Sequence, residues 1–263
     1  MGKKSIQEYM KQHGDELIRF NPYAIKKMGL LATQTLLKLG DYMLICAPFQ
    51  LSMKRAILLV ILSKDEISFF QQFQNKIISL SFTFQRPGNN TPINLFVRGT
   101  LVRMGPVKGR NNVCLVDLSY SRCPNDLMEI VADYLGNHAS LKSQYEHLKN
   151  RSVELNEENT KIMRYNKYTE AQISGKKQKV DLISVSVNRI IIDIPAAAGP
   201  IEEGSKFIIK LYFQMYQFMI TGRVSKAEEA PEAGFARVYY DIEFTPELVE
   251  ILDDYFFRLS FKR

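Results

Sequence analysis

The sequence predicts a mainly β protein with flanking helices: two six-stranded antiparallel barrels, each followed by a C-terminal helix, behind an N-terminal helical segment. Three observations predict it. The segments Asp126–Leu135 (DLMEIVADYL) and Glu247–Phe256 (ELVEILDDYF) are identical at five of ten positions, and both are amphipathic at helical spacing. Four short β-branched or alternating blocks precede each of them in the same order. A chain of 263 residues, 46% apolar and 24% charged, is long enough for two small cores.

Residues 1–39 read as helical, with Leu31, Thr35, Leu36 and Leu39 as one face and Asn21-Pro22 as a break. Residues 40–136 read as the first barrel and 161–263 as the second with its helix. The paired blocks are Ser52–Leu59 with Ser186–Asp193, Lys76–Phe84 with Lys206–Gln214, Leu95–Arg103 with Phe218–Lys226, and Val113–Leu118 with Val238–Glu243. Gly99 falls opposite Gly222. A long hairpin tip, Gln85–Pro92, belongs to the first copy alone, as a loop insertion.

Each closing helix follows a proline, Pro124 or Pro246, which suits a first helical turn because its missing N–H would be unpaired there anyway. Thr245 is expected to cap the second helix and Gly136 to end the first. Residues 137–160 read as a short helix carrying Leu141, Tyr145 and Leu148, then a flexible linker, since Asn150–Lys161 shows no apolar face.

The net charge of +7 permits an anionic partner, whether nucleotide, nucleic acid or membrane surface, without choosing among them. The longest apolar run, Ala56–Leu62, is too short to span a bilayer. With no secretory signal, a cytoplasmic location is expected. Cys46, Cys114 and Cys123 read as buried free thiols, and His13, His138 and His147 stand too far apart for a metal site. No nucleophile elbow, P-loop, zincin or dinucleotide fingerprint is present, so neither an enzyme nor a cofactor is predicted.

The segments Ser184–Pro195 (SVSVNRIIIDIP) and Glu202–Phe213, the strand holding Gly222, and the ending Val238–Phe256 together resemble the PilZ domain, the bacterial receptor module for cyclic di-GMP. The resemblance covers roughly residues 161–257, and residues 40–136 are similar to a more diverged barrel of the PilZN type. The pair resembles two-domain flagellar-brake proteins and the tandem PilZ effectors of spirochaetes. It implies a ligand site of two motifs. RxxxR precedes the barrel and grips phosphate and guanine through planar guanidinium groups; D/NxSxxG reads the guanine edge from a strand and turn.

Both motifs are altered here. RxxxR falls at Arg164–Tyr168, with Arg164 kept, Tyr168 in place of the second arginine and Lys167 as a partial substitute. D/NxSxxG falls at Ser184–Arg189: Ser186 matches, Ser184 replaces the acid or amide, and Arg189 replaces the glycine that lets a ligand approach the backbone. The first copy repeats the pattern as Ser52-Met53-Lys54-Arg55. Arg55 and Arg189 either meet an anionic ligand or partner, or lie as surface arginines over apolar neighbours.

The leading expectation is therefore a non-enzymatic adaptor in cyclic di-GMP and flagellar-motility signalling. It would act by contact with a protein partner, a motor or signalling component, and bind cyclic di-GMP weakly or not at all. One alternative is a working receptor that uses Arg164, Lys167, Ser186 and Asn188. Another is a basic nucleic-acid-binding barrel, with Lys161, Arg164, Lys167, Lys176, Lys177 and Lys179 interleaved with Tyr165 and Tyr168; the PilZ-like ending weighs against it.

Overall fold

Alternating sequence blocks become strands with apolar residues turned inward, and in each half of the chain six such strands close into a ring. The computed structural model describes residues 6–86, 88, 91–173, 175–213 and 216–261. The chain divides into two units, Met1–Asn137 and His138–Arg263.

The first unit runs α1 (Ile6–His13), β1 (Ile18–Arg19), α2 (Pro22–Met28), β2 (Leu36–Leu39), β3 (Tyr42–Leu51), β4 (Arg55–Ile61), α3 (Lys64–Phe70), β5 (Ile77–Phe84), β6 (Ile93–Pro106) and β7 (Val113–Arg122), then enters α4 (Asn125–Leu148). The ring order is β3-β2-β5-β6-β7-β4, closed by the β3–β4 pair, with β1 added to the end of β3. Its core is made of inward residues such as Leu37, Leu58, Leu80, Phe82, Leu101 and Leu118, and α4 adds Leu127 and Val131 to it. Burial of such side chains, at about 25 cal/mol per Å² of apolar surface, is what holds the ring closed.

The second unit runs β8 (Ser152–Glu154), α5 (Glu157–Met163), β9 (Tyr165–Ile173), β10 (Lys176–Ser186), β11 (Arg189–Pro195), β12 (Ile208–Phe213), β13 (Tyr216–Glu229), β14 (Phe235–Ile242) and α6 (Pro246–Ser260). Its ring, β11-β14-β13-β12-β9-β10, closes through β10–β11, with β8 added to β10. Strand for strand this repeats the first ring.

The structure departs from the sequence reading in four places. The segment holding Leu31, Thr35, Leu36 and Leu39 is not an α-helix: Ala32–Gln34 make a single 3-10 turn between Leu31 and Thr35, and Leu36–Leu39 form β2, in which Leu37 and Leu39 alternate inward and are fully buried. Gly136 does not end the first closing helix; α4 passes through it, and Leu141 and Leu148 are buried beyond it. A mid-helix glycine costs about 1 kcal/mol, which such packing offsets. Thr245 precedes α6, but its hydroxyl donates to Glu243 O (3.0 Å) and gives the helix no side-chain cap. The stretch read as a flexible linker is structured as β8 and α5, because Val153, Thr160, Ile162 and Met163 are buried. At the hairpin tip, Pro87, Asn89 and Asn90 lie outside the described residues.

The duplication also reaches further back than the strand blocks reveal. β1–α2 in the first unit and β8–α5 in the second are the same device. Asn21 Oδ1 accepts from Ala24 N at 2.8 Å, and Asn156 Oδ1 accepts from Asn159 N at 2.8 Å. Each seven-residue helix then ends on a left-handed residue, Gly29 (φ 69°) or Arg164 (φ 56°).

The paired glycines have a shared cause. A Cβ on Gly99 would stand 2.3 Å from Ser119 O, and one on Gly222 would stand 2.0 Å from Asp241 O. At the same point of both rings the neighbouring strand lies too close for any side chain.

Candidate functional site

The SxxR sequences form the turns that join β3 to β4 and β10 to β11. In the second unit Ser186 is buried, and its Oγ accepts from Arg189 N (3.0 Å) and lies 2.9 Å from both Arg189 O and Asn188 Oδ1. In the first, Ser52 Oγ accepts from Lys54 N (3.1 Å). The carbonyls of Lys54 and Asn188 accept from Tyr120 N (2.8 Å) and Ile242 N (3.0 Å), tying each turn to the strand pair beside it. Both serines thus close a turn on their own backbone, a local bond that short hydroxyl side chains favour.

The two arginines are held in the same way. Arg55 makes a two-pronged bond to Asp117 on β7, with Nε at 2.8 Å from Oδ1. Arg189 Nε donates to Asp241 Oδ1 on β14 at 2.6 Å. The aspartate beside each raises the guanidinium pKa above its already high ordinary value. Each charge is answered by a carboxylate of its own barrel, which neither reading of SxxR anticipated.

β8 brings a new set of residues to the second turn. It runs antiparallel to β10, with Ser152 opposite Ser186 and Glu154 opposite Ser184. Lys149, Asn150 and Arg151, just before β8, therefore come beside the turn. Together with Ser184, Ser186, Asn188, Arg189 and Tyr239 they line a cavity of about 340 Å³. The Arg151 guanidinium lies over the Phe256 ring, 3.5 Å from its centroid. Lys149 Nζ stands 2.7 Å from Glu146 Oε2, and that bond raises its pKa. Among the described residues Arg151 has no ion pair, so it is the cation of this cavity most available to an anion.

Four of the seven sequence-predicted site residues, Ser184, Ser186, Asn188 and Arg189, line this cavity; Arg164, Lys167 and Tyr168 do not. Arg164 is the exposed left-handed end of α5. Lys167 borders a different cleft of about 360 Å³, with Tyr165 and Asp181. Tyr168 lies on β9, where its hydroxyl donates to Glu170 Oε2 (3.2 Å) and its ring meets Tyr212 edge to face. The residues missed from sequence are Lys149, Arg151 and Tyr239. The signal for Arg151 was its place just before an extended S-V-E, a strand too short to stand out by pattern. Among the described residues no cluster of three or more His, Cys, Asp or Glu could hold a metal ion, and no helix is long and apolar enough to cross a membrane.

The model of the PilZN3 domain matches residues 4–137, just over half of the chain. The chain belongs to the PilZ family. No match was found among curated proteins. Solved structures similar to this PilZ-family protein include that of the Borreliella burgdorferi PlzA protein in complex with c-di-GMP (14% identity, TM-score 0.46, covering 95% of this chain and 98% of that one). Others are Bacillus subtilis inhibitor of motility, MotI/DgrA (10%, TM-score 0.31, 87% and 97%), and YcgR from Escherichia coli in complex with c-di-GMP (12%, TM-score 0.31, 97% and 95%). In this PilZ-family protein the matched segment is the first ring with its leading helices, and the cavity belongs to the second ring.

Proposed function

We propose that this protein is a non-enzymatic PilZ-family adaptor of the cytoplasm, acting in cyclic di-GMP and motility signalling through contact with a protein partner, and that its nucleotide site is degenerate. The observation that carries this reading is Arg189. The motif calls for a glycine there, so that the nucleotide can lie against bare backbone. Here an arginine occupies the corner, borders the cavity and is bonded to Asp241. Ser184 supplies no carboxylate or amide, and Ser186 spends its hydroxyl on the turn.

The pairing of β8 supports reading the first motif just ahead of that strand, with Arg151 rather than Tyr168 as its second arginine, because Arg151 lines the cavity beside the turn and Tyr168 does not. The residue four places before Arg151 is His147, so one arginine of the pair is present and the other is an imidazole. One guanidinium on a phosphate contributes roughly 1.5–3 kcal/mol, far short of the total that tight dinucleotide binding needs.

Calorimetry with cyclic di-GMP tests this. The expected result is no measurable heat, or a Kd weaker than about 10 μM. Tighter binding that is lost in Arg151→Ala would overturn the degenerate site. It would favour the second reading, a modified receptor, which rests on Lys149 and Arg151 flanking the same cavity.

A further inference from the structure

The outward face of the first barrel carries an apolar patch built around Ile45, Met43 and Phe96. Ile45, Leu36 and Phe96 fall in one cross-strand row over β3, β2, β5 and β6; Met43, Lys38 and Arg98 fall in the next. Ile45 and Phe96 are each 71% exposed, and Met43 is 63% exposed. These rows border a concavity of about 530 Å³ whose lining contains no carboxylate. Lys38 and Arg98 are exposed, and among the described residues neither has an ion pair.

The duplication supplies an internal control. The corresponding row of the second barrel, on β10, β9, β12 and β13, keeps an exposed apolar residue at its end, Met219 in the place of Phe96, but sets Lys179 and Lys210 on either side of Glu170, which also accepts from the hydroxyls of Tyr168 and Tyr212. The same ring therefore folds with charged residues, Lys179 and Glu170, where the first barrel has Ile45 and Leu36. Exposed Ile45 is therefore not a requirement of the barrel, and the contiguous apolar patch that it makes with Met43 and Phe96 marks a contact surface. Its charge selects the occupant: unanswered cations beside apolar residues complement acidic groups beside apolar anchors, and they repel a second copy of the same face.

We infer that this face docks a partner protein through an amphipathic segment with large apolar anchors and acidic flanks. The inference rests on the adaptor reading and gives that adaptor its surface. Helical segments that present anchors at i, i+3/i+4 and i+7 enter such grooves apolar side first.

The test is selection of a displayed library of random 16-residue peptides on the full-length protein and, in parallel, on an Ile45→Lys/Phe96→Lys variant with an unchanged circular dichroism spectrum and melting temperature. Peptides enriched on the wild type alone should carry helically spaced apolar residues and a net negative charge. Synthesised, they should bind at least tenfold more weakly to that variant and to Lys38→Glu/Arg98→Glu. Peptides enriched equally on both proteins would remove this face while leaving an adaptor that uses another; no enrichment on either would count against the adaptor itself. Enriched peptides without acidic residues would overturn the assigned occupant. So would concentration-dependent dimerisation in sedimentation that the Ile45→Lys/Phe96→Lys variant abolishes, since a second copy would then be what covers the patch.

Discussion

Arg164 stands in the place of Gly29. Both end a seven-residue helix that begins at an asparagine cap, and both hold the left-handed conformation, at φ 56° and 69°. At Gly29 a side chain is sterically barred, since a Cβ would lie 2.2 Å from Gln85 O. Arg164 accepts a conformation that favours glycine, at a cost of about 1 kcal/mol. Arg164→Gly is therefore expected to leave stability unchanged or raise it by up to about 1 kcal/mol in urea denaturation, the looser unfolded chain offsetting part of the gain. A large loss would mean that the arginine side chain holds the second unit together.

The two SxxR arginines should separate in their energetics. Asp117 is 5% exposed, so Arg55→Ala strands a buried carboxylate and should cost about 2–3 kcal/mol. Arg189 and Asp241 are both about half exposed, and an exposed pair contributes no more than about 1 kcal/mol. Equal losses in chemical denaturation would show that exposure does not govern the pair.

Gly99→Ala and Gly222→Ala should each destabilise by about 1–3 kcal/mol or more, because the atoms in the way are backbone carbonyls of the next strand and a rigid ring yields little. Gly109→Ala, with nothing within 4 Å of the added carbon, is the comparison for strain from positive φ alone.

If the cavity is a decayed nucleotide site, rebuilding it should restore affinity. The pair Ser184→Asp with Arg189→Gly restores the D-x-S-x-x-G pattern in place. It is expected to tighten cyclic di-GMP binding at least tenfold, about 1.4 kcal/mol, in the same calorimetric titration. No change would place the defect elsewhere, with His147 as the next position to convert.

Burial pushes the Cys46 and Cys123 thiols up to about 12, against an ordinary value near 9. At pH 8 about one in ten thousand is then thiolate, so neither should react with a thiol reagent until denaturant is added. The folded state holds these protons more tightly than the unfolded one. The associated stability is therefore fully present below about pH 9 and falls as pH rises from 9 towards 12, which pH-dependent melting would follow.

Much of this protein is determined locally. The strands β4–β7 and β11–β14 and the two closing helices are legible because residues that face a barrel interior must alternate, and residues that cover its end must recur at helical spacing. Two barrels follow from that periodicity and from the match of the copies, as does the shared SxxR turn, whose likeness to D/NxSxxG came from the resemblance to the PilZ domain. What only the tertiary structure decided are the features held by long-range pairing. β8 has three residues and one buried side chain, too little for any pattern, and it exists because β10 offers an unpaired edge. That pairing, and not the residue types, moves the cation beside the turn from Arg164 to Arg151. The continuation of α4 through Gly136, the ion pairs Arg55–Asp117 and Arg189–Asp241, and the contrast between the outer faces of the two barrels depend likewise on residues distant in sequence, and a ring closed by its first and last strands is what brings them together.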